Sequence, residues 1–309
     1  MTTQTTTTAD VQAIFDRVKN WGRWGADDQI GALNFITPAV RKAAAATVRD
    51  GVAVSCALPL NTTPSDENAS PVLHYMVRGG DIENATGSAD FFAIATHGMA
   101  HTHLDALCHI FHEGKMYNGR PAQQVTSGGA LANAITSGEN GIVSRGVLLD
   151  VAAAKGVDFL EPGDAIYPQD LEAAEAKGGV KVREGDILLV RTGRHLRKQQ
   201  VGAWNGRETL AGMHVTCMPW IHGRGVAVLG CDGISDVMPS RVEGRGRLAG
   251  LPVHVCTIVA MGVHLIDNAQ LEDVARACAE RRRYEFLLTL APLRLERGTG
   301  CPINPIALF

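Results

Sequence analysis

Residues 97–112 concentrate the side chains of this sequence that can bind a metal ion. Five of the chain's eleven histidines, together with Asp105, lie within these sixteen residues. Imidazole nitrogens and carboxylate oxygens are the ligands that zinc and manganese accept in proteins. Apolar residues flank the cluster, which distinguishes it from a low-complexity histidine tract on a surface. The segment therefore predicts a metal-dependent enzyme rather than a generic globular domain.

The spacing of His103, Asp105 and His109 predicts that their side chains converge. An apolar run over residues 91–96 favours a buried strand that leads into the cluster. On an extended chain, side chains two residues apart share a face. From residue 104 onward the sequence suits a helical turn, in which residues four apart share a face. A strand-to-helix corner near residue 103 would bring all three side chains to one point.

Composition narrows the class of protein. The chain has 309 residues, of which 45% are hydrophobic and 20% charged, as in an ordinary globular protein with a full core. A formal net charge of −3 and the lack of a basic stripe argue against nucleic-acid binding. No apolar run is long enough to span a membrane. The seven scattered cysteines include no C-x-x-C pair, so we expect a cytoplasmic protein.

Strand and helix patterns alternate along the chain, which predicts an α/β fold with a mixed sheet flanked by helices. Strands are predicted over residues 52–60, 147–151, 187–191, 226–230 and 284–290. Helices are predicted after Thr37, from Pro168, and over residues 254–262 and 271–281. Residues 194–208 are predicted to be a loop. The threonine-rich start of the chain has no apolar core, which predicts a flexible tail over residues 1–19. No linker or repeat divides the rest, so we expect one domain over residues 20–309.

The histidine cluster also resembles a known family. Thr102-His103-Leu104-Asp105-Ala106, followed by His109, is similar to the signature of the putative cyclase family. That family includes bacterial kynurenine formamidases, isatin hydrolase and trans-dienelactone hydrolases. Further segments agree, so that the similarity spans roughly residues 20–309: residues 21–28, 31–34, 114–119, 229–233, 291–293 and 299–302.

The resemblance implies a swivelling β/β/α architecture and a divalent metal ion, zinc or manganese, that activates water. It implies that His103 and Asp105 are metal ligands and that His109 is the catalytic acid–base. His254 and Asp267 occupy the places of the family's distant histidine and glutamate ligands. The implied activity is arylformamidase-like: an amidohydrolase that cleaves an N-formyl, N-acyl or lactam bond of a small aromatic or cyclic substrate.

Two positions depart from the family's pattern. Met99 stands where the simplest family motif has another histidine, and a thioether is a poor ligand for zinc or manganese. His97 or His101 could take its place if the loop carries an insertion. His97 is favoured, because Gly98 lets the backbone adjust. Asp267 is one methylene shorter than the family's glutamate, which favours one metal ion per chain over two.

Other functions remain open at this point. The same metal could serve a lactone hydrolase, or a cyclase or dehydratase as a Lewis acid. The departures at Met99 and Asp267 also leave room for a non-catalytic binding protein. Cys108 could be a nucleophile, although its neighbours have roles in a metal site. Asp232 and Asp236 follow a predicted strand and could either orient ligand histidines or bond loop amides. We expect a homodimer or homotetramer without nucleic-acid or membrane partners.

Overall fold

The computed structural model describes residues 5–309. The strands of this part of the chain are β1 (Thr6–Thr7), β2 (Ala53–Ser55), β3 (Leu73–Arg78), β4 (Ala89–Ala93), β5 (His103–Asp105), β6 (Val125–Thr126), β7 (Gly129–Ala130), β8 (Ile142–Asp150), β9 (Ala165–Ile166), β10 (Ile187–Arg191), β11 (Gly212–Met213), β12 (Val228–Cys231), β13 (Val242–Glu243), β14 (His264–Asp267), β15 (Glu285–Leu290), β16 (Gly300–Pro302) and β17 (Ile306–Leu308).

Nine α-helices of the described residues lie in seven of the sixteen intervals between these strands. The α-helices are α1 (Thr8–Val18), α2 (Pro38–Ala45), α3 (Val151–Ala154), α4 (Pro168–Gly178), α5 (Arg194–Val201), α6 (Met218–Gly223), α7 (Arg247–Gly250), α8 (Pro252–His254) and α9 (Glu272–Arg281). A π-helix, Val255–Met261, directly continues α8. Within residues 5–309, no helix combines the length and the apolar character that crossing a bilayer requires.

Among the described residues, nine strands form one mixed sheet in the order β16-β5-β14-β12-β10-β8-β15-β17-β2. The central strands β14, β12, β10 and β8 run parallel to one another. Each strand outside them is antiparallel to its inner neighbour. Helices cover both faces of the sheet, as buried parallel strands require. The predicted fold, one α/β domain with a mixed sheet flanked by helices, is confirmed.

Alternating side chains divide the core into two apolar layers, one on each face of the sheet. In β10, Leu188 packs on the layer that contains α1, α4, α6 and the π-helix, whereas Leu189 packs on the layer that contains α9. Leu104 of β5 belongs to the layer of α9. Its neighbours His103 and Asp105 therefore point to the opposite face, toward the π-helix.

The predicted flexible tail over residues 1–19 is wrong for residues 8–18, which form α1. Val11, Phe15 and Val18 recur at helical spacing, and all three are buried in the core layer of the π-helix. Thr7 caps the helix, and its side chain accepts the backbone amide of Asp10. Residues 1–4 lie outside the described part of the chain. The helix thus belongs to the domain that we expected to begin at residue 20.

Two predictions next to the histidine cluster are also wrong. The apolar run at residues 91–96 is not a buried strand, because β4 takes up its first part and lies exposed in a hairpin with β3. Beyond β5, residues 106–109 form a turn instead of a helix, closed by a bond of 3.0 Å from the amide of His109 to the carbonyl of Ala106. The pairing of β5 with β14 and β16 sets this geometry, which local sequence preference does not contain.

Candidate metal centre

Three side chains of the candidate site come from two adjacent strands. β5 carries His103 and Asp105, and β14 ends at Asp267, the cross-strand partner of His103. Cross-strand partners project from the same face of a sheet and lie side by side. Nε2 of His103 lies 3.5 Å from Oδ1 of Asp105 and 4.0 Å from Oδ2 of Asp267. All three side chains are buried, so sheet pairing fixes their mutual positions.

His254 reaches the same point from the end of α8. Its Nε2 lies 3.4 Å from Oδ2 of Asp267 and 3.8 Å from Oδ2 of Asp105. Its Nδ1 lies 2.6 Å from Oδ2 of Asp236, which also accepts the backbone amide of His254 at 3.1 Å. The other oxygen of Asp236 accepts the amide of Val253 at 2.7 Å. Asp236 thus holds both the start of this helix and the imidazole that it presents.

The carboxylates give this buried region a strongly negative potential. Burial opposes the charged form of His254, but Asp267 and Asp236 outweigh it and hold the pKa of His254 well above its usual value. Burial also opposes ionisation of Asp105, yet the surrounding histidines, His109 above all, hold the pKa of that carboxyl below its usual range. Such a potential attracts a cation.

His97 and His109 complete the cluster on its solvent side. Nδ1 of His97 lies 2.9 Å from Oδ1 of Asp105, and its Nε2 lies 3.1 Å from Oγ1 of Thr299. Nε2 of His109 lies 4.0 Å from Oδ2 of Asp105. The two imidazole rings are stacked, with centroids 3.7 Å apart. Their side chains are 28% and 26% exposed, against 1% for Asp105, so these are the cluster residues that a substrate can contact.

His109 is suited to proton transfer and Cys108 is not suited to nucleophilic attack. Burial lowers the pKa of His109 to about 4, and the charge of Asp105 offsets this only in part. The imidazole is therefore neutral near pH 7 and has one ring nitrogen without a proton. Burial raises the pKa of the Cys108 thiol to about 12, so the thiol stays protonated near pH 7 and is not a nucleophile. The cysteine interpretation that the sequence left open is not supported.

The donor set of the cluster fits a divalent metal ion. Oδ2 of Asp105 and Oδ1 of Asp267 are buried and have no hydrogen-bond partner among residues 5–309. Nδ1 of His103 lies 2.8 Å from the carbonyl oxygen of His101 and must donate to it, which leaves the lone pair of the neutral ring on Nε2. The contact of Nδ1 of His254 with Asp236 likewise turns Nε2 toward the cluster, where a bound cation would take the place of the proton that the raised pKa of this imidazole favours. Two imidazole nitrogens and two carboxylates thus share a donor set that zinc and manganese accept.

The structure separates the three residues among which the sequence left one ligand position open. His97 lies in the cluster, within reach of Asp105. The side chain of Met99 is buried elsewhere, against Gly206. The ring of His101 is buried as well, and neither of its nitrogens has a hydrogen-bond partner in the described part of the chain. The geometry therefore places the favoured candidate, His97, beside the other potential ligands.

The supports of the cluster were only partly visible in the sequence. Asp236 orients the imidazole of His254 and also accepts two backbone amides, so both roles that the sequence left open apply to it. Asp232 accepts the backbone amides of residues 192–194. Thr299, which contacts His97, was not predicted as a site residue. It lies in a segment, residues 299–302, that carries the family resemblance, and that was the available signal.

Comparison with known proteins agrees with this picture of the fold. A family model described as putative cyclase matches residues 54–236, more than half of the chain. A search of curated proteins finds no match.

Solved structures match over most of the chain. A crystal structure described as a novel cyclase is 30% identical, covers 96% of this chain and 99% of its own, and gives a TM-score of 0.85. An isatin hydrolase bound to the product analogue thioisatinate is 17% identical, with 86% and 94% covered and a TM-score of 0.59. A predicted metal-dependent hydrolase from Bacillus stearothermophilus is 15% identical, with 83% and 97% covered and a TM-score of 0.51. The last two similarities are similarities of fold.

Proposed function

This chain belongs to the putative cyclase family, and from that premise we propose that it is a metal-dependent hydrolase of amide or lactam bonds. The proposed substrate is a small aromatic or cyclic N-formyl, N-acyl or lactam compound. One observation carries the proposal: two imidazole nitrogens and two buried carboxylates converge beside a neutral, partly exposed histidine. The fold neighbours support the bond class, because isatin, which one of them is named for, is an aromatic lactam.

We assign the metal to His103, His254, Asp105 and Asp267, with His97 as a further ligand. A zinc or manganese ion bound there would polarise a substrate carbonyl and lower the pKa of a water molecule. The side chain of Asp267 is one methylene shorter than the glutamate ligand that the resemblance implies at this position. The end of β14 nevertheless brings its Oδ2 to 3.4 Å from Nε2 of His254. The two departures that left room for a non-catalytic binding protein, at Met99 and Asp267, are thus compatible with this ligand set.

In this proposal His109 moves the proton. Its neutral imidazole lies partly exposed beside Asp105, with 4.0 Å between Nε2 and Oδ2. It takes a proton from the attacking water and delivers it to the leaving nitrogen as the C–N bond breaks, so that a carboxylate and an amine are released. The stacked ring of His97 keeps this imidazole facing the cluster.

We expect the purified protein to contain about one zinc or manganese ion per chain, because the donor set suffices for a single site. Inductively coupled plasma mass spectrometry measures the metal, and a panel of N-formyl amides, lactams and lactones measures turnover. A chelator should remove metal and activity together, and the metal should restore both. A protein that stays metal-free after reconstitution contradicts the proposal. If the protein hydrolysed only lactones, the metal assignment would stand and the proposed bond would be an ester instead of an amide.

We expect His97→Ala to weaken metal binding and Met99→Leu to leave it nearly unchanged. Loss of even an outer partner of a metal costs ~10–100-fold in affinity. Leucine keeps the approximate volume and apolarity of methionine, a replacement that usually costs under ~1.5 kcal/mol of stability. Zinc titration of the metal-free protein gives the affinities. His101→Ala is the matched control in the same loop. Weaker binding in His101→Ala, with parental binding in His97→Ala, would reverse the assignment.

We propose that the protein is a homodimer or homotetramer of the cytoplasm. Within residues 5–309, β3 and β4 pair only with each other, and an isolated hairpin is marginally stable in water. The hairpin exposes large apolar side chains that a second copy could cover in a symmetric pair: Leu73, Tyr75, Met76, Val77, Ile82, Phe91 and Phe92. The cysteines are free thiols, which suits a reducing compartment. A single-chain mass in light scattering would contradict the assembly.

A further inference from the structure

A buried guanidinium contacts both the residue that follows Asp267 and the turn that precedes β5. Arg194 is 3% exposed and begins α5, in a segment predicted to be a loop. Its Nη1 donates to Oδ1 of Asn268 at 2.6 Å. Its Nη2 donates to the carbonyl of Met99 at 3.1 Å and to Oε1 of Glu67 at 3.0 Å. One side chain thus joins the end of β14, the loop that carries Glu67, and the turn of residues 98–101.

Asn268 connects this guanidinium to the residues of the candidate site. It directly follows Asp267, is fully buried, and adopts a left-handed conformation with φ of 53°. Its Nδ2 donates to the carbonyl of Gly98 at 2.7 Å and to that of His101 at 3.2 Å. The same His101 carbonyl accepts Nδ1 of His103 at 2.8 Å. The turn of residues 98–101 is therefore held by Asn268 and in turn orients the imidazole of His103.

Asp232 fixes the place from which Arg194 reaches the turn. Its buried carboxylate accepts the backbone amides of Thr192 at 3.0 Å, Gly193 at 2.8 Å and Arg194 at 3.2 Å. Gly193 has a φ of 84°, and a Cβ there would lie 2.7 Å from the Cβ of Phe159. Only glycine suits this start of α5, which sets the direction of the arginine side chain.

The charge of Arg194 is balanced where it is buried. Glu67 is 7% exposed and accepts the guanidinium as well as the ammonium of Lys198. A buried guanidinium is costly unless it is paired and its donors are bonded. The other contacts of its Nη atoms run to Asn268, to the turn of residues 98–101 and to the backbone carbonyl of Asp232, whereas Nε has no hydrogen-bond partner among the described residues. Arg194 thus restrains the backbone on either side of the proposed ligands, at Asn268 and at Met99.

We propose that Arg194 is a positioning residue for the candidate metal centre. Through Asn268 and the carbonyl of Met99 it fixes the turn of residues 98–101, and through that turn it sets the orientation of His103 and the location of His97. The proposal rests on the proposed function, because it takes these histidines as metal ligands. Lysine cannot replace the arginine, since an ammonium lacks the planar fork that reaches several fixed acceptors at once.

The test compares Arg194→Met and Arg194→Lys with the parent in three measurements. They are zinc affinity of the metal-free protein, the visible spectrum of the cobalt(II) form, and hydrogen exchange of residues 98–103 without metal. We expect ~10–100-fold weaker zinc binding, as for other outer partners of a metal. We also expect an altered cobalt spectrum and faster exchange in the turn. Arg197→Met is the matched control on α5, because Arg197 pairs with the exposed Glu161 instead.

A rescue experiment separates positioning from general loss of structure. A cavity of about 500 Å³ lined by Arg194, Glu67 and Lys198 gives small solutes a route to this position. In Arg194→Ala, guanidinium at a non-denaturing concentration should therefore restore zinc affinity, whereas equal concentrations of urea or sodium chloride should not.

The proposal is overturned if Arg194→Met retains parental zinc affinity and parental exchange in residues 98–103. It is also overturned if guanidinium fails to restore Arg194→Ala. Failure of the proposed function can be distinguished from failure of the Arg194 proposal. A parent protein that binds no metal removes that function, while exchange in the metal-free protein still reports whether Arg194 holds the turn.

Discussion

Asp105→Asn is expected to lose metal binding and hydrolysis together, with a larger loss of affinity than any variant of a supporting residue. The carboxylate lies at the centre of the cluster. Its Oδ1 is 2.9 Å from Nδ1 of His97 and 3.5 Å from Nε2 of His103, and its Oδ2 is 3.8 Å from Nε2 of His254. Asparagine keeps the shape but removes the charge that a divalent cation requires. Zinc titration and turnover on the same preparation measure both losses.

Asp236→Asn is the matched comparison for this prediction. Asp236 contacts the imidazole of His254 and not the shared space of the cluster, so its loss should cost only the ~10–100-fold that outer partners contribute. Thermal unfolding of both variants checks that the fold is retained. Parental metal affinity in Asp105→Asn, or a larger loss in Asp236→Asn, would show that the metal does not lie at Asp105.

The local part of the site could be predicted because it depends on one short strand. The alternation of β5 places His103 and Asp105 on one face whatever the rest of the fold does. His109 joins them through a turn and not the predicted helix, yet its imidazole still comes within 4.0 Å of Asp105. Spacing therefore indicated which side chains meet while it gave the wrong backbone between them.

The distant part of the site needed more than spacing. Asp267 lies beside His103 because β14 pairs with β5, and no local pattern encodes which strands become neighbours. Only the family resemblance pointed to His254 and Asp267. The role of Arg194 could not be predicted for the same reason. Its segment is polar and predicts a loop, whereas its contacts are with Asn268 and Met99, which lie far away in the sequence.

Exposure was equally hard to predict. The run that contains Phe91 and Phe92 is as apolar as a buried strand, and the pattern alone favours burial. Whether such a strand is covered depends on what packs against it, which is a property of the whole fold or of an assembly. The opposite error occurred at residues 8–18, where a threonine-rich start suggested a tail but Val11 and Phe15 pack into the core.

His109→Ala is expected to retain the metal and to lose the rate of hydrolysis by roughly 10²–10⁴-fold, the range of general acid–base catalysis. Of the candidate residues with lowered pKa values, this imidazole combines a neutral form at pH 7 with partial exposure at the cluster. His97, Asp105 and His109 also have ligand atoms within 4.8 Å of one another, so metal content is measured beside the rate. Single-turnover rates on the protein with its metal content verified measure the effect.

The decisive comparison pairs His109→Ala with His97→Ala. The two rings are stacked, so either substitution leaves a similar gap at the same exposed edge of the cluster. If the roles are as proposed, the His97 variant loses metal first and activity as a consequence, and excess metal restores part of its activity. The His109 variant keeps its metal, and no excess restores the rate. Loss of metal from His109→Ala as complete as from Asp105→Asn would make His109 a ligand, and the proton would then have to move through another group.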